Sequence, residues 1–327
     1  HRERPAFTIH NGTLYYVRDF AIRTYDFESK SEASAMNLRR HVTPPTTISC
    51  NPSDNMAAVW YDADGGVFEL FTIPKAGTVA DADVKKGFYT NAVFFAASKF
   101  AVLDKTNQIV LRTTANEISK ILPPVNNSNR IFPGPQGFIV CRNDDKVFLF
   151  QVAQRAVVAE LAVSGVKYVT WDKDFNRVAF QSKNSIVVAT RKFKHITTIQ
   201  ETAVRIKSVA FDEEREILFY STSNHLKYCN LRNGECSTIW TLEVPIYLVK
   251  ARGDNLWFLP RDGRVQMQTI DNAELSFKLA LQQERYRDVL KVIQSKKLHG
   301  QALVGYLHKH GHPEIAMHFV SDPMVRF

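Results

Sequence analysis

One spacing constrains this chain more than any other feature. The segment beginning at Val166 reads VKYVTWDKDFNRVAFQSKNSIVVATRK, and the segment beginning at Ile206 reads IKSVAFDEEREILFYSTSNHLKYCNLR. Val169 and Val209 occupy matching places in the two, as do Asn184 and Asn224. Both segments divide into short alternating or apolar runs separated by turn residues, the pattern of strands rather than helices. Three or four such strands recurring about every 40 residues form sheets too small to bury both faces alone. Each sheet must pack on its two neighbours, and the array closes into a ring.

The same grammar runs through the first 270 or so residues. Seven units are counted, beginning near Phe7, Thr46, Asn91, Arg130, Val166, Ile206 and Ile246. The second carries a longer insertion, PKAGTVADADVKKG, read as a solvent loop, and its outer strand is unclear. The last shows three strands, IYLVKAR, NLWFLP and RVQMQTI; a fourth is expected either from ELSFKL or from the N-terminal residues. No Gly-His opens a unit, and Trp171-Asp172 sits early in its own. The expected fold is therefore mainly β, a seven-bladed WD-repeat-like β-propeller over residues 1–273.

Around Ala273 the apolar period changes to three or four. Tyr286, Val289, Leu290 and Ile293 share one helical face, and Leu303, Val304 and Leu307 another. Residues 274–327 are expected to be helical hairpins that start an α-solenoid. Asp322-Pro323 reads as the N-cap and N1 of one more helix. In GYLHKHGHPEIAMHFV, His308, His310, His312 and His318 raise the question of a metal. His308 and His312 have the i,i+4 spacing of a zinc pair. Gly311 is a natural helix terminator and Pro313 a natural N1, which puts His312 in a turn and breaks that geometry. No metal is expected.

Other chemistry is sparse. There is no G-x-S-x-G, G-x-G-x-x-G, P-loop or H-E-x-x-H motif, and 14 Gly in 327 residues leaves little for phosphate-cradling loops. DADGG at residues 62–66 starts like a calcium loop, but its twelfth position is Ile73, so it reads as a hairpin turn. The carboxylate pairs Asp81 with Asp83 and Asp144 with Asp145 read as solvated loops. Cys50, Cys141, Cys229 and Cys236 are too scattered for a disulfide framework or zinc finger and read as free thiols. Cys229 and Cys236 flank the hairpin turn NLRNGE and could bridge. The formal charge is +9. Its clusters (Arg39-Arg40, Lys85-Lys86, Arg191-Lys192 with Lys194) are too short for a nucleic-acid patch. A solvated basic surface facing acidic lipid or an acidic partner is the better reading. The chain opens at His1 rather than Met, as expected of a piece of a longer protein. With no apolar run near 18 residues it is expected to be soluble, without a targeting signal of its own.

Specific strings decide more than the period does. HRERPAFTIHNGTLYYVRD, FAVLDKTNQIV, TSNHLKY, VPIYLVKARGDNLWFLPRDGRV and above all TIDNAELSFKLALQQERYRDVLKVIQSKKLHGQALVGYLHKHGHPEIAMHFVSD resemble the alpha subunit of coatomer. The resemblance implies the second of two propellers plus the first solenoid helices. It implies a role in the cytosolic coat that buds Golgi vesicles, chiefly for return of cargo to the endoplasmic reticulum. Implied partners are other coatomer subunits, beta-prime foremost, with peripheral association with Golgi membrane through the assembled coat. The dilysine cargo site of the family belongs to the preceding propeller, so no cargo residue is carried over. No cofactor and no nucleic acid are implied.

Three readings follow. In the first, the chain is a non-enzymatic scaffold, and Ile270, Phe277, Leu279, Leu281 and Tyr286 pack the first helices on the last blade. In the second, basic loops around Arg142, Lys183 and Arg191 line a channel mouth that binds an acidic or C-terminal peptide. In the third, the channel hosts a hydrolase or a metal.

Overall fold

The computed structural model describes residues 4–39, 43–63, 65–74, 84–260, 262–295, 297–298 and 301–317. It divides into two compact units, His1–Gln268 and Thr269–Phe327.

The first unit is a seven-bladed propeller. Six antiparallel sheets of four strands cover residues 7–37, 45–87, 90–122, 130–162, 168–200 and 206–241; a seventh, of three strands, covers 247–269. In every sheet the strands pair in chain order. First strands begin at Phe7, Pro45, Thr90, Arg130, Tyr168, Ile206 and Tyr247, each within two residues of the start expected from the repeat. The outer strand of the second blade, unclear from sequence, is the short Lys85–Gly87. Gly87 lies so close to the Phe68 ring that a side chain there would have no room. The expected loop residues 75–83, with Asp81 and Asp83, fall outside the described residues, as do Asp64 of the DADGG turn and Arg40.

The strands bury apolar side chains on both faces, as sheets stacked on neighbours must. In Met56–Tyr61 five consecutive residues are buried, and so are four in Lys146–Gln151. Outer strands lack a further neighbour and turn polar: Ser31–Asn37 and Ile118–Leu122 are mostly exposed. The pairing of third with fourth strand slips by a bulge in the blades at 7–37, 90–122, 130–162, 168–200 and 206–241. A bulge there adds local twist and bends the outer strand.

Side chains tie blade to blade through main-chain groups that the sheets leave unpaired. Ser49 Oγ accepts from Phe94 N at 3.0 Å, and Asn51 Nδ2 donates to Ala97 O at 2.6 Å. Asn91 Nδ2 donates to Ile131 O. Trp171 Nε1 donates to Pro133 O at 3.0 Å, and Gln181 Nε2 to Ile206 O at 3.1 Å. Ser221 Oγ donates to Ile246 O at 2.8 Å while Ser208 Oγ accepts from Leu248 N at 2.7 Å. The ring closes differently. Leu14, Tyr16, Tyr25 and Phe27 of the first blade share one buried cluster with Tyr247, Val249, Trp257 and Leu259 of the last. The contacts described at this closure are the packing of two sheet faces and Lys250 over the Phe27 ring.

Neither expected source supplies a fourth strand to the last blade. The segment ELSFKL lies inside a helix, α1 (Ala273–Gln282), and the described residues before Phe7 form no strand. The alternation of Leu275, Phe277, Leu279 and Leu281 imitates a strand. Asn272 prevails as N-cap, its side chain accepting from Leu275 N at 2.9 Å, and the helix is buried on more than one side, so all four are buried without strand geometry.

The second unit continues with α2 (Tyr286–Gln294), α3 (Gln301–Lys309) and α4 (Pro313–Ala316). Phe277, Ala280, Leu281, Val289, Leu303, Leu307 and Ala316 form its core. The face expected of α2 divides. Val289 is buried and Ile293 packs against the core, whereas Tyr286 and Leu290 are 52% and 57% exposed. At the histidine turn Gly311 has φ of 79° and Pro313 opens α4 at N1/N2, with His312 as its cap residue. His308 therefore belongs to α3 and His312 to the turn, as the Gly and Pro require. His318 and the Asp322-Pro323 signal lie outside the described residues. No described helix is long and apolar enough to cross a membrane.

Candidate partner-binding site

Each blade is an antiparallel meander, so successive turns alternate between the two faces of the ring. An even number of strands brings the chain back to the entry face before the next blade begins. The starts of all first strands therefore surround one mouth of the central channel, together with the turns that join second strands to third.

Three guanidinium groups sit at that mouth. Arg4 lies over the rings of Phe7 and Tyr168, with 4.2 and 4.9 Å to their centroids. It thus reaches from the first blade to the fifth. Arg130 lies 5.7 Å from the ring of Phe132 and 5.9 Å from that of Trp60. Arg142 is its cross-strand partner. No carboxylate among the described residues forms an ion pair with Arg4 or Arg130. Burial lowers the Arg4 guanidinium to about 10, opposed by the Tyr168 hydroxyl; it remains a cation at neutral pH. Arg142 is lowered too, first by burial, then by the charge of Arg130, against the pull of Asp144. An unpaired cation over aromatic faces is stabilised by the ring quadrupoles and keeps its capacity to take an anion.

The residues expected at the mouth are not brought together. Arg142 is committed internally: it donates to Val166 O at 2.5 Å and Asn129 Oδ1 at 2.9 Å, tying the fourth blade to the fifth. Lys183 is exposed in the turn after Arg177–Gln181, on the entry face. Arg191 follows the strand Ser185–Thr190, which begins just after Lys183. Six residues of strand put Arg191 about 17–20 Å away, on the opposite face of the ring. It lies there 5.9 Å from the Phe138 ring. Arg4 and Arg130 were not singled out from sequence. The available signal is that each stands at or just before the first strand of its unit; the facing ring of Tyr168 lies too far along the chain to be foreseen.

The other expected residues fall in the helical unit. Phe277 and Leu281 belong to its core, Ile270 and Leu279 are buried, and Tyr286 is exposed. Among the described residues no three His, Cys, Asp or Glu come together as a ligand set. Asp144 accepts from Asn129 Nδ2 at 3.1 Å, so it serves the loop next to Arg142.

Comparison with known proteins bears on what this ring serves. The COPA/B second beta-propeller family model matches residues 19–259. Coatomer subunit alpha-2 of Oryza sativa subsp. japonica is 41% identical over 336 residues, covering 100% of this chain and 27% of that protein. Coatomer subunit alpha-1 of Arabidopsis thaliana is 40% identical with the same coverage, and coatomer subunit alpha of Saccharomyces cerevisiae 34%. The chain thus spans about a quarter of the length of these relatives. Among solved structures, the Cps50 (Swd1) beta-propeller domain of Myceliophteria thermophila superposes with a TM-score of 0.61 at 12% identity, over 83% of this chain and 98% of that one. At that identity the likeness concerns the fold alone. Blade count, the family match and similarity over the whole of this chain to part of the coatomer alpha subunits agree, and this chain belongs to the COPA/B second beta-propeller family, of the coatomer alpha type.

Proposed function

We propose that this chain is a non-enzymatic scaffold of the coatomer coat, holding neighbouring subunits, beta-prime among them, in Golgi-to-ER retrograde and intra-Golgi transport. On this reading it works on the cytosolic side and meets Golgi membrane peripherally, through the assembled coat. The observation that carries the reading is the series of side-chain ties between consecutive blades. A ring fastened in this way changes shape little, so a partner docks on it with a small ordering cost. The test is reconstitution. Purified beta-prime subunit mixed with full-length alpha subunit is expected to co-elute, and excision of this propeller is expected to weaken the complex and reduce coat assembly on liposomes. Unchanged assembly after excision would remove the reading.

Arg4 and Arg130 favour a second reading, in which the entry-face mouth takes an acidic or C-terminal peptide such as the tail of a coat subunit. Fluorescence anisotropy with an acidic peptide is expected to give saturable binding that weakens with salt. An Arg4→Met, Arg130→Met double variant is expected to lose it. Absence of binding below the millimolar range, or equal binding by the double variant, would end this reading.

A further inference from the structure

The sixth blade carries a second grouping that neither scaffold nor peptide site uses. Cys229 and Cys236 stand directly opposite each other in the last hairpin, between His225–Asn230 and Cys236–Thr241. Asn230 N donates to Glu235 O at 2.8 Å, which makes that neighbouring pair the hydrogen-bonded one. The cysteine pair is therefore non-hydrogen-bonded, the position where facing Cα atoms come closest, about 4.5 Å apart. That separation lies within the span of a disulfide, and facing residues of a pair project to the same side of the sheet. Cys50 and Cys141 offer a contrast, for they face Ala57 and Ile131.

The two thiols differ in the way a reacting pair requires. Cys236 is exposed and Cys229 buried. In the hairpin Cys229 Sγ lies 3.8 Å from Asn230 O and Cys236 Sγ 3.7 Å from Gly234 O. The neighbouring Cys229 thiol holds Cys236 below the ordinary thiol range; Tyr220 and Lys227 act in the same direction, burial and Glu201 against it. Cys229 is pushed up by the neighbouring Cys236 and by burial. Glu201 is itself engaged, accepting from Tyr220 Oη at 3.0 Å and from Lys227 Nζ at 2.7 Å. Burial also raises Cys50, to about 12, and Cys141.

We propose that Cys229 and Cys236 form a reversible dithiol–disulfide site, with Cys236 as the entering nucleophile and Cys229 as the resolving thiol. Its co-substrate is a low-molecular-weight disulfide, RSSR. The Cys236 thiolate attacks one sulfur of RSSR, forming a mixed disulfide and expelling RS⁻. Cys229 then gives its proton to solvent, and its sulfur attacks the Cys236 sulfur, forming the intramolecular bond and expelling the second RS⁻. The two cysteines lose two electrons in all; RSSR gains them and leaves as two thiols. The product staples the outer hairpin of the sixth blade, and thiol excess reverses it.

The chain incubated natively with glutathione disulfide tests this directly. Intact mass is expected to show the loss of two hydrogens, and peptide mapping a bridge between Cys229 and Cys236. Cys229→Ala is expected to stop at a stable glutathione adduct on Cys236, and Cys236→Ser to leave the protein unreacted. Native alkylation by iodoacetamide is expected to label Cys236 at least tenfold faster than Cys50 or Cys141. A bridge involving Cys50 or Cys141, a persistent adduct on the wild-type chain, or no reaction at all overturns the proposal. These wild-type outcomes decide it even if a variant fails to fold.

Discussion

Truncating Trp257 to Ala is expected to lower the stability of the propeller by about 3–5 kcal/mol, and to do so by opening the ring at one place. Trp257 is 6% exposed and sits in the cluster joining the first and last blades. Its ring meets Phe27 edge to face at 5.5 Å, and Lys250 Nζ lies 4.5 Å from the Phe27 centroid. The other blade junctions described above combine packing with side-chain to main-chain bonds, whereas the contacts described at this seam are apolar, aromatic and cation–π. Loss of the indole is therefore expected to release amide exchange protection first in residues 7–37 and 247–259, as local opening precedes global unfolding. Uniform loss around all seven blades, or an unchanged denaturation midpoint, would contradict the seam's role. The companion variant sharpens the test. Trp257 Nε1 is buried without a hydrogen-bond partner, which costs about 1–3 kcal/mol. Trp257→Phe keeps most of the packing and removes that donor, so its stability is expected to lie within about 1 kcal/mol of wild type.

Asn91→Ala is expected to cost about 3 kcal/mol, the sum of a lost polar link and a strained backbone. Asn91 is 2% exposed at the head of the third blade and touches three blades at once. Its Nδ2 donates to Ile131 O in the fourth blade, and its Oδ1 accepts from Ala92 N at 2.9 Å and from Thr47 Oγ1 of the second blade at 3.4 Å. Removing the amide leaves a buried carbonyl unpaired. Asn91 also has φ of 62°, a conformation Asn tolerates and Ala resists by about 1–2 kcal/mol. Asn91→Gly isolates the two contributions, for it relieves the strain and still loses the links. Urea denaturation of both variants is expected to rank wild type above Gly and Gly above Ala. Equal stability of all three would show that the amide ties nothing.

These two residues also mark how far the sequence can be read. Asn91 was visible as the start of a unit, because a polar residue punctuates an apolar run there. That it spans three blades was not visible, since Thr47 and Ile131 lie some forty positions away on either side. Trp257 was visible as a strand residue in NLWFLP, and its partner Phe27 lies near the other end of the propeller sequence. The helical unit gives the opposite lesson. The alternation through Leu275, Phe277, Leu279 and Leu281 suits a strand, and only burial on several sides of α1, behind an Asn cap, resolves it as a helix. The basic residues of the candidate site show the same limit. Lys183 and Arg191 are near in sequence and lie on opposite faces, because one strand separates them. Arg4 and Tyr168 are remote in sequence and meet at the mouth.

By itself the sequence determined the number of blades, their phase, the change to helix after Ala273, the turn at Gly311 and Pro313, and the resemblance that the comparisons bear out. All of these rest on local signals: apolar period, turn residues, caps and long strings that resemble the family. Only the tertiary structure decided how the ring closes, which cations gather at one mouth, and which thiol faces which. Those depend on the register of strand on strand and of blade on blade, where side chains meet through packing geometry that leaves no periodic trace along the chain.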